Sequence, residues 1–157
     1  VNNLKKEAQK RGVEPDRIIF ADKMSNDEHL ARHRLADLFI DTFPYTAHTT
    51  CSDALWSSLP VVTRIGQSFA SRVSASLLTA IGLSELITKT EKEYEELTFK
   101  IANNKSLLNE IKKKLTKNKP IKSLFNTKLF TKNIESAFVI MHERYRSNTL
   151  VKNIEIK

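Results

Sequence analysis

A histidine, two threonines and an aspartate lie close together in the segment YTAHTTCSDALW, a spacing that suits an anion-binding helix end. His48, Thr49, Thr50 and Asp53 stand where an apolar run has ended and a helical pattern begins. A helix N-terminus offers unpaired amides and about half a positive charge, and hydroxyls and an imidazole add donors. Asp53, one turn after Thr49, could accept from sugar hydroxyls. A threonine-rich helix cap with an incidental histidine explains the same residues equally well.

A second pair of polar side chains, His29 and Arg32, is spaced three residues apart in another helical pattern and therefore shares one helix face. A planar imidazole and a planar guanidinium can stack on a nucleic-acid base or hydrogen-bond to it. Two polar residues on a helix are more often surface decoration, so this pair alone is weak evidence for a base site.

Three other kinds of chemistry have less support. His29 and His33 have the i, i+4 spacing of zinc ligands, but no third ligand accompanies them, so we expect no metal. Residues 66–70 read GQSFA and lack the last glycine of the serine-hydrolase motif G-x-S-x-G. Cys51, near His48 at a helix start, could have a lowered thiol pKa, although a free cysteine there is more often a packing residue.

The scaffold for these residues is predicted from short apolar runs that alternate with longer amphipathic ones, the pattern of βα units on a parallel sheet. Strands are predicted at residues 17–21 (RIIFA), 37–41 (DLFID), 60–63 (PVVT) and 85–88 (ELIT), and helices between them at about 26–35, 49–58 and 68–81. This is a doubly wound α/β core, and ligands of such sheets bind beyond the carboxyl ends of the strands.

Local signals support the helices. Ser25 and Glu28 form the capping box S-x-x-E. A buried stripe ending before Gly82 is predicted from three- and four-residue spacing at Phe69, Val73, Leu77, Ala80 and Ile81. Further helices are predicted at about 91–103, 105–118 and 127–147. We predict a single domain, with a core at about 15–103 and a helical basic tail at about 104–157.

Composition limits the classes of protein to which this chain can belong. The 157 residues contain one cysteine, which excludes an internal disulfide framework and favours a reduced, cytoplasmic protein. The three glycines are not spaced for G-x-G-x-x-G or a P-loop. No apolar run approaches the roughly 20 residues of a membrane span. The chain opens within a helical pattern, without an initiator methionine or a signal peptide, and we interpret it as a piece of a larger protein.

The positive charge is concentrated at one end. Residues 1–99 carry 12 Lys and Arg against 14 Asp and Glu, whereas residues 100–157 carry 14 against 4. Such a block could bind nucleic acid or an anionic membrane. The lysines also interleave with an apolar stripe at Leu107, Leu108, Ile111, Leu115 and Ile121, which favours a solvated helix face or a surface that meets an absent acidic domain.

Taken together and in order, several segments resemble a known family. Over about residues 15–145 the sequence is similar to the C-terminal half of O-linked N-acetylglucosamine transferase-type glycosyltransferases, family 41. The segments that carry this similarity are RIIF, EH with Arg32, LAD, D-T, HTT with Asp53, ALW, P-V-V-T, ASRVSAS and SLFNTK. The resemblance implies a two-domain GT-B enzyme, usually preceded by tetratricopeptide repeats, whose Rossmann-like C-terminal half holds most of the nucleotide-sugar.

The resemblance also implies roles for individual residues. His29 and Arg32 would lie by the uracil, His48, Thr49 and Thr50 would meet the diphosphate and stabilise the leaving group, and Asp53 would bind the ribose. The family transfers its sugar to Ser or Thr hydroxyls with inversion and needs neither a metal nor a cofactor. We expect no catalytic residue in this chain, because the acceptor protein and any general base would be held by the absent N-terminal half and the repeats.

The sequence departs from the family's pattern at three positions. Asn26 stands where members that use N-acetylglucosamine have a lysine, Ala47 where a glycine often precedes the His-Thr-Thr, and Cys51 where a glycine commonly follows it. Relatives handle N-acetylglucosamine, glucose or fucose, so the sugar stays open. We expect the isolated chain to bind UDP or a UDP-sugar weakly and to be inactive. The alternatives are a basic nucleic-acid-binding module and a non-catalytic interaction domain.

Overall fold

A three-stranded parallel sheet forms the centre of the protein in the computed structural model, which describes residues 1–156. The strands are β1 (Phe39–Ile40), β2 (Val61–Arg64) and β3 (Ile87–Thr88), in the spatial order β1-β2-β3. Phe39 pairs with Val61, and Thr63 pairs with Ile87. The helices are α1 (Asn2–Lys10), α2 (Asn26–Arg32), α3 (Thr49–Trp56), α4 (Val73–Ile81), α5 (Glu91–Ala102), α6 (Lys105–Asn118) and α7 (Thr127–Arg146).

The central strand β2 is covered on both faces. Val61, Val62 and Thr63 are fully buried, and successive side chains of a strand point to opposite faces. Four helices supply the largest buried partners of this strand, among them Leu55 from α3, Leu78 from α4, Ile101 from α5 and Leu115 from α6. The predicted three-layer α/β arrangement with a parallel sheet is therefore confirmed.

Capping residues fix where the helices begin. At the start of α2, the Glu28 amide donates to Ser25 Oγ at 3.4 Å and the Ser25 amide donates to Glu28 Oε2 at 3.1 Å, which is the predicted capping box. Thr90 and Glu93 form a second one at the start of α5. The helix predicted over 26–35 is interrupted at its end, because residues 33–35 tighten into a 3-10 turn.

The strand predicted at 17–21 is wrong. Residues Pro15–Arg17 form a 3-10 turn, and the following residues make no ladder hydrogen bonds within the described chain. Ile19 is 87% exposed. An apolar run becomes a strand only where a neighbouring strand satisfies its backbone groups, and β1 has no such partner on its outer edge in residues 1–156. The strand predicted at 85–88 is also shorter, because Ser84–Leu86 form a 3-10 turn.

The helix predicted over 68–81 is divided. Phe69–Ser71 form a 3-10 turn, and α4 starts only at Val73. Within the predicted stripe, Ile81 is buried, Val73, Leu77 and Ala80 are half-buried, and only Phe69, which precedes the break, is exposed, at 81%. The fully buried face of α4 consists of Ser74, Ala75, Leu78 and Ile81. Gly82 ends α4 with φ of +76°, a left-handed conformation that glycine adopts without steric cost, as predicted.

The basic C-terminal region packs partly on the core. Leu108, Ile111 and Leu115 of α6 are buried, whereas Ile121 lies beyond the helix and is exposed. Helix α7 has no buried residue and exposes Phe130, Phe138 and Val139. Among the helices of residues 1–156, none is both long enough and apolar enough to cross a membrane. Whether residues 1–157 form one independent domain stays a prediction.

Candidate functional site

The N-terminus of α3 forms one end of the site. Residues 42–48, which we call the 42–48 loop, run from the end of β1 to His48, the N-cap of α3, whose carbonyl accepts from the Ser52 amide at 3.1 Å. No described side chain caps this helix end. Thr49 and Thr50 are exposed at its first turn. Since the first amides of a helix have no intrahelical acceptor, this end can donate to an anion.

The His48 ring is held by a second loop, residues 66–71, which we call the 66–71 loop. The carbonyl of Ala70 accepts from the Thr46 amide at 3.0 Å, from Thr46 Oγ1 at 2.7 Å and from His48 Nε2 at 3.4 Å. Tyr45 stacks on the imidazole at a centroid distance of 4.8 Å, and Phe69 meets it edge-on at 5.9 Å. The position of His48 therefore depends on both loops.

Gly66 lets the 66–71 loop close tightly. A Cβ at this position would lie 2.4 Å from Ser71 Oγ and 2.7 Å from Ser71 Cβ, so the glycine is needed for close approach. The Ser68 hydroxyl lies 3.0 Å from Ser71 Oγ and accepts from the Ser71 amide at 3.3 Å. Ser68 thus caps the turn, and the partial G-x-S-x-G motif has a structural explanation.

His29, Arg32 and Asp53 form the other end of the site. Arg32 donates to His29 Nδ1 at 2.8 Å and to the Asp22 carbonyl at 3.0 Å. Because a guanidinium only donates, Nδ1 must accept, and in the neutral ring the proton lies on Nε2. This nitrogen is 3.8 Å from Asp53 Oδ2, beyond hydrogen-bond distance. Within residues 1–156 neither Asp53 side-chain oxygen accepts a hydrogen bond, so both can accept from a ligand's hydroxyls.

Two adjoining hollows connect the two ends. One, of about 470 Å³, is lined by His29, Arg32 and Thr50 among others. The second, of about 380 Å³, is lined by His48, Thr49 and Thr50 among others. Phe39, Ile40 and Thr50 border both. Five of the six residues that the sequence singled out line these hollows, at the carboxyl end of β1. The sixth, Asp53, lines neither, and its Oδ2 lies 3.8 Å from His29 Nε2.

The described residues add no support for a zinc site or for a reactive cysteine. His33 is buried, and its Nδ1 bonds to the His29 carbonyl at 2.8 Å. Within residues 1–156, no group of three or more His, Cys, Asp or Glu side chains is arranged to hold a metal. Cys51 is fully buried in the core cluster, and burial raises the pKa of its thiol to about 12. Cys51 is therefore a packing residue.

Sequence reasoning missed a buried polar network behind the 42–48 loop. Asp41 accepts from the Thr42 and Ala47 amides and from Thr63 Oγ1. Tyr94 Oη donates to the Asp41 carbonyl, and Ser74 Oγ donates to the Ala47 carbonyl. The available signals are an aspartate directly after an apolar run, which predicts only the end of a strand, and the D-T segment, which contributes to the family resemblance without indicating a network.

The comparisons with known proteins identify a family. The family model Glycosyl transferase family 41 matches residues 1–134. A UDP-N-acetylglucosamine–peptide N-acetylglucosaminyltransferase of Caenorhabditis elegans is 33% identical over 152 residues, which is 97% of this chain and 13% of the relative. A probable enzyme of the same name from Arabidopsis thaliana is 38% identical over 135 residues, 85% of this chain and 14% of the relative.

A solved structure is also similar. A mutant O-GlcNAc transferase from Thermobaculum terrenum matches with a TM-score of 0.81 and 31% sequence identity, over 87% of this chain and 26% of that chain. The present chain thus spans about an eighth to a quarter of the length of these relatives. The family match covers most of the chain, and the fold and the residue pattern agree with it. The chain belongs to glycosyltransferase family 41.

Proposed function

We propose that this chain belongs to the donor-binding, C-terminal half of the GT-B region of a protein O-glycosyltransferase that uses UDP-N-acetylglucosamine or a related UDP-sugar. The observation that carries the proposal is the shared border of the two hollows. A ligand that spans them would meet an imidazole and a guanidinium at one end, with the Asp53 carboxylate beside that imidazole, and a helix N-terminus with two hydroxyls at the other. A nucleoside diphosphate has the matching groups in the matching order. The names of the relatives support the choice of donor.

In this proposal each residue has a distinct task. His29 and Arg32 contact the uracil, and their mutual hydrogen bond fixes the orientation of both planar groups. Asp53 accepts from the ribose hydroxyls. His48, Thr49 and Thr50 donate to the diphosphate at the start of α3. The hollow by α2 therefore selects the nucleoside, and the hollow by α3 binds its charge.

The reaction in this proposal is the one that the family resemblance implies. A serine or threonine hydroxyl of the acceptor protein attacks the anomeric carbon with inversion, and the bond to UDP breaks as negative charge grows on its terminal phosphate. Preorganised amides and hydroxyls stabilise such charge strongly when they are already oriented. The helix end supplies positive potential at that point, so the proposal includes no metal and no cofactor.

The acceptor side is proposed to lie outside this chain. The N-terminal half and preceding repeats would bind the acceptor protein and supply any general base, so the isolated chain should transfer no sugar. A cytoplasmic location is part of the proposal and rests on the single, reduced cysteine. The nucleic-acid alternative has no supporting observation. Lys112 and Lys114 pair with Asp37 and Glu85, which favours a structural role for part of the basic region.

The proposal is tested by thermal melting with UDP, UMP, GDP or pyrophosphate. Ligand at 100 times its dissociation constant stabilises by about 2.7 kcal/mol, which for a chain of this size is roughly 5–10 °C. We expect a UDP-selective rise that Asp53→Ala abolishes. Asp37→Ala is a matched control, because its exposed carboxylate pairs with Lys112 and lines neither hollow. A UDP effect equal in all three proteins, or none in any, would contradict the proposal.

A further inference from the structure

Asp41 is a buried carboxylate whose two oxygens are both occupied by short hydrogen bonds. Its side chain follows β1 directly, and the residue is only 6% exposed. Oδ1 accepts from the Thr42 amide at 2.9 Å and from the Ala47 amide at 2.8 Å. Oδ2 accepts from Thr63 Oγ1 at 2.7 Å. One side chain therefore ties both ends of the 42–48 loop to the central strand β2.

Two further hydrogen bonds hold the same loop from outside. Tyr94 Oη in α5 donates to the Asp41 carbonyl at 2.6 Å. Ser74 Oγ in α4 donates to the Ala47 carbonyl at 2.6 Å. Ala47 is thus fixed at its amide by Asp41 and at its carbonyl by Ser74. His48, the N-cap of α3, is the next residue.

The negative charge of Asp41 does not favour an anion bound at the start of α3. A carboxylate repels a diphosphate, so its charge opposes such binding. Burying a carboxylate is also unfavourable unless donors compensate it, as three do here. Any favourable effect of Asp41 on the anion must therefore be geometric, through the loop that it fixes.

We propose that Asp41 is a positioning residue for the diphosphate end of the donor site. By fixing the Ala47 amide, it sets the direction in which the first amides of α3 and the hydroxyls of Thr49 and Thr50 point. This inference rests on the proposed function. It assigns to Asp41 an effect on the diphosphate and none on the nucleoside, which the hollow by α2 holds.

The test compares Asp41→Ala with Asp41→Asn. Alanine removes the acceptor of both loop amides. Asparagine can keep its oxygen on the Thr42 and Ala47 amides, while its NH₂ group donates to Thr63 Oγ1, because a hydroxyl can accept as well as donate. The asparagine variant therefore keeps the same hydrogen-bonded pairs and loses the charge, while the Thr63 hydroxyl changes from donor to acceptor.

Dissociation constants for UDP and for uridine are measured by NMR titration, at a temperature where circular dichroism shows each variant folded. If the loop is competent only a tenth of the time, apparent affinity falls tenfold. We expect Asp41→Ala to weaken the binding of UDP about tenfold or more and the binding of uridine less than about twofold. We expect Asp41→Asn to bind UDP as tightly as the unsubstituted chain or more tightly. Asp53→Ala is the comparison variant, expected to weaken both ligands.

Several results would overturn the inference. Equal weakening of UDP and uridine by Asp41→Ala would show a general structural role, and an asparagine variant as weak as alanine would exclude positioning through hydrogen bonds. Should Asp41→Ala not fold, Ser74→Ala removes the other anchor of Ala47 and must give the same UDP-selective loss. If the unsubstituted chain binds no UDP, the proposed function is wrong and the inference with it. UDP binding that survives Asp41→Ala overturns the inference alone.

Discussion

Replacing Gly66 by alanine should destabilise the protein because the added methyl group has no room. Its Cβ would lie 2.4 Å from Ser71 Oγ and 2.7 Å from Ser71 Cβ, both inside the shortest contacts that real Cβ atoms make. Ser71 is buried and bonded to Ser68, so it cannot swing away freely. The 66–71 loop must therefore shift, and with it the Ala70 carbonyl that accepts from Thr46 and His48.

The magnitude follows from two opposing effects. Overpacking a tight site costs about 1–3 kcal/mol. Exchanging glycine for alanine restricts the unfolded chain and returns about 0.4–1 kcal/mol. The middle of these two ranges gives a net loss of about 1–2 kcal/mol, which at roughly 2–4 °C per kcal/mol lowers the melting temperature by about 2–8 °C. Calorimetry or a circular-dichroism melt measures this directly.

A double-mutant cycle identifies the cause. Ser71→Gly removes both atoms that the new methyl would strike, which leaves only the ring edge of Phe43 at 3.1 Å. In the Ser71→Gly background we expect Gly66→Ala to leave the free energy of unfolding almost unchanged. The coupling energy between the two substitutions is then about 1 kcal/mol or more. Equal losses of stability in the two backgrounds would refute the packing explanation, as would a single variant that melts like the unsubstituted chain.

Two further predictions concern buried titratable groups. Burial gives the Cys51 thiol a pKa of about 12 in place of the ordinary 9.0. Since only the thiolate reacts with a thiol reagent, Cys51 should be labelled about a thousandfold more slowly in the folded protein than in urea at pH 8. Rapid labelling of the folded chain would show that the thiol is not buried. Burial, with a smaller effect from the Asp41 charge, raises the pKa of Tyr94 from 10.0 to about 12. The folded state therefore holds this proton more tightly, and the resulting stability is present below pH 10 and is lost as pH rises towards 12. Urea unfolding at pH 9.5 and 11.5 should show a larger loss in the unsubstituted chain than in Tyr94→Phe, and parallel losses would contradict the assignment.

The sequence predicted elements well where a local signal marks them. The capping box at Ser25 and Glu28 places the start of α2, and Gly82 places the end of α4. Both signals act within a few residues along the chain. The run at 17–21 has the composition of a strand but no partner strand in residues 1–156. Its conformation depends on chain that is distant in sequence, which composition alone does not reveal.

The candidate site was predictable for a related reason. His48, Thr49, Thr50 and Asp53 lie within one turn and a half of chain, so their proximity follows from helix geometry. The contact between His29 and Asp53 spans 24 positions of sequence, yet both lie on helices that flank β1 at the same edge. The strand predicted before α2 does not form, so parallel-sheet topology alone does not bring them together. Their assignment to uracil, ribose and diphosphate came from the family resemblance and stays a proposal.

The network around Asp41 could not be predicted because it is encoded in three separate segments. Thr63 lies 22 positions away, Tyr94 53 positions away, and Ser74 reaches Ala47 across 27 positions. None of these residues is unusual for its own helix or strand. Each becomes informative only when β2, α4 and α5 close around the 42–48 loop. If the loop is rigid for this reason, the orientation of the diphosphate site is set by the core of the fold. Substitutions in that core would then alter UDP binding without touching the ligand.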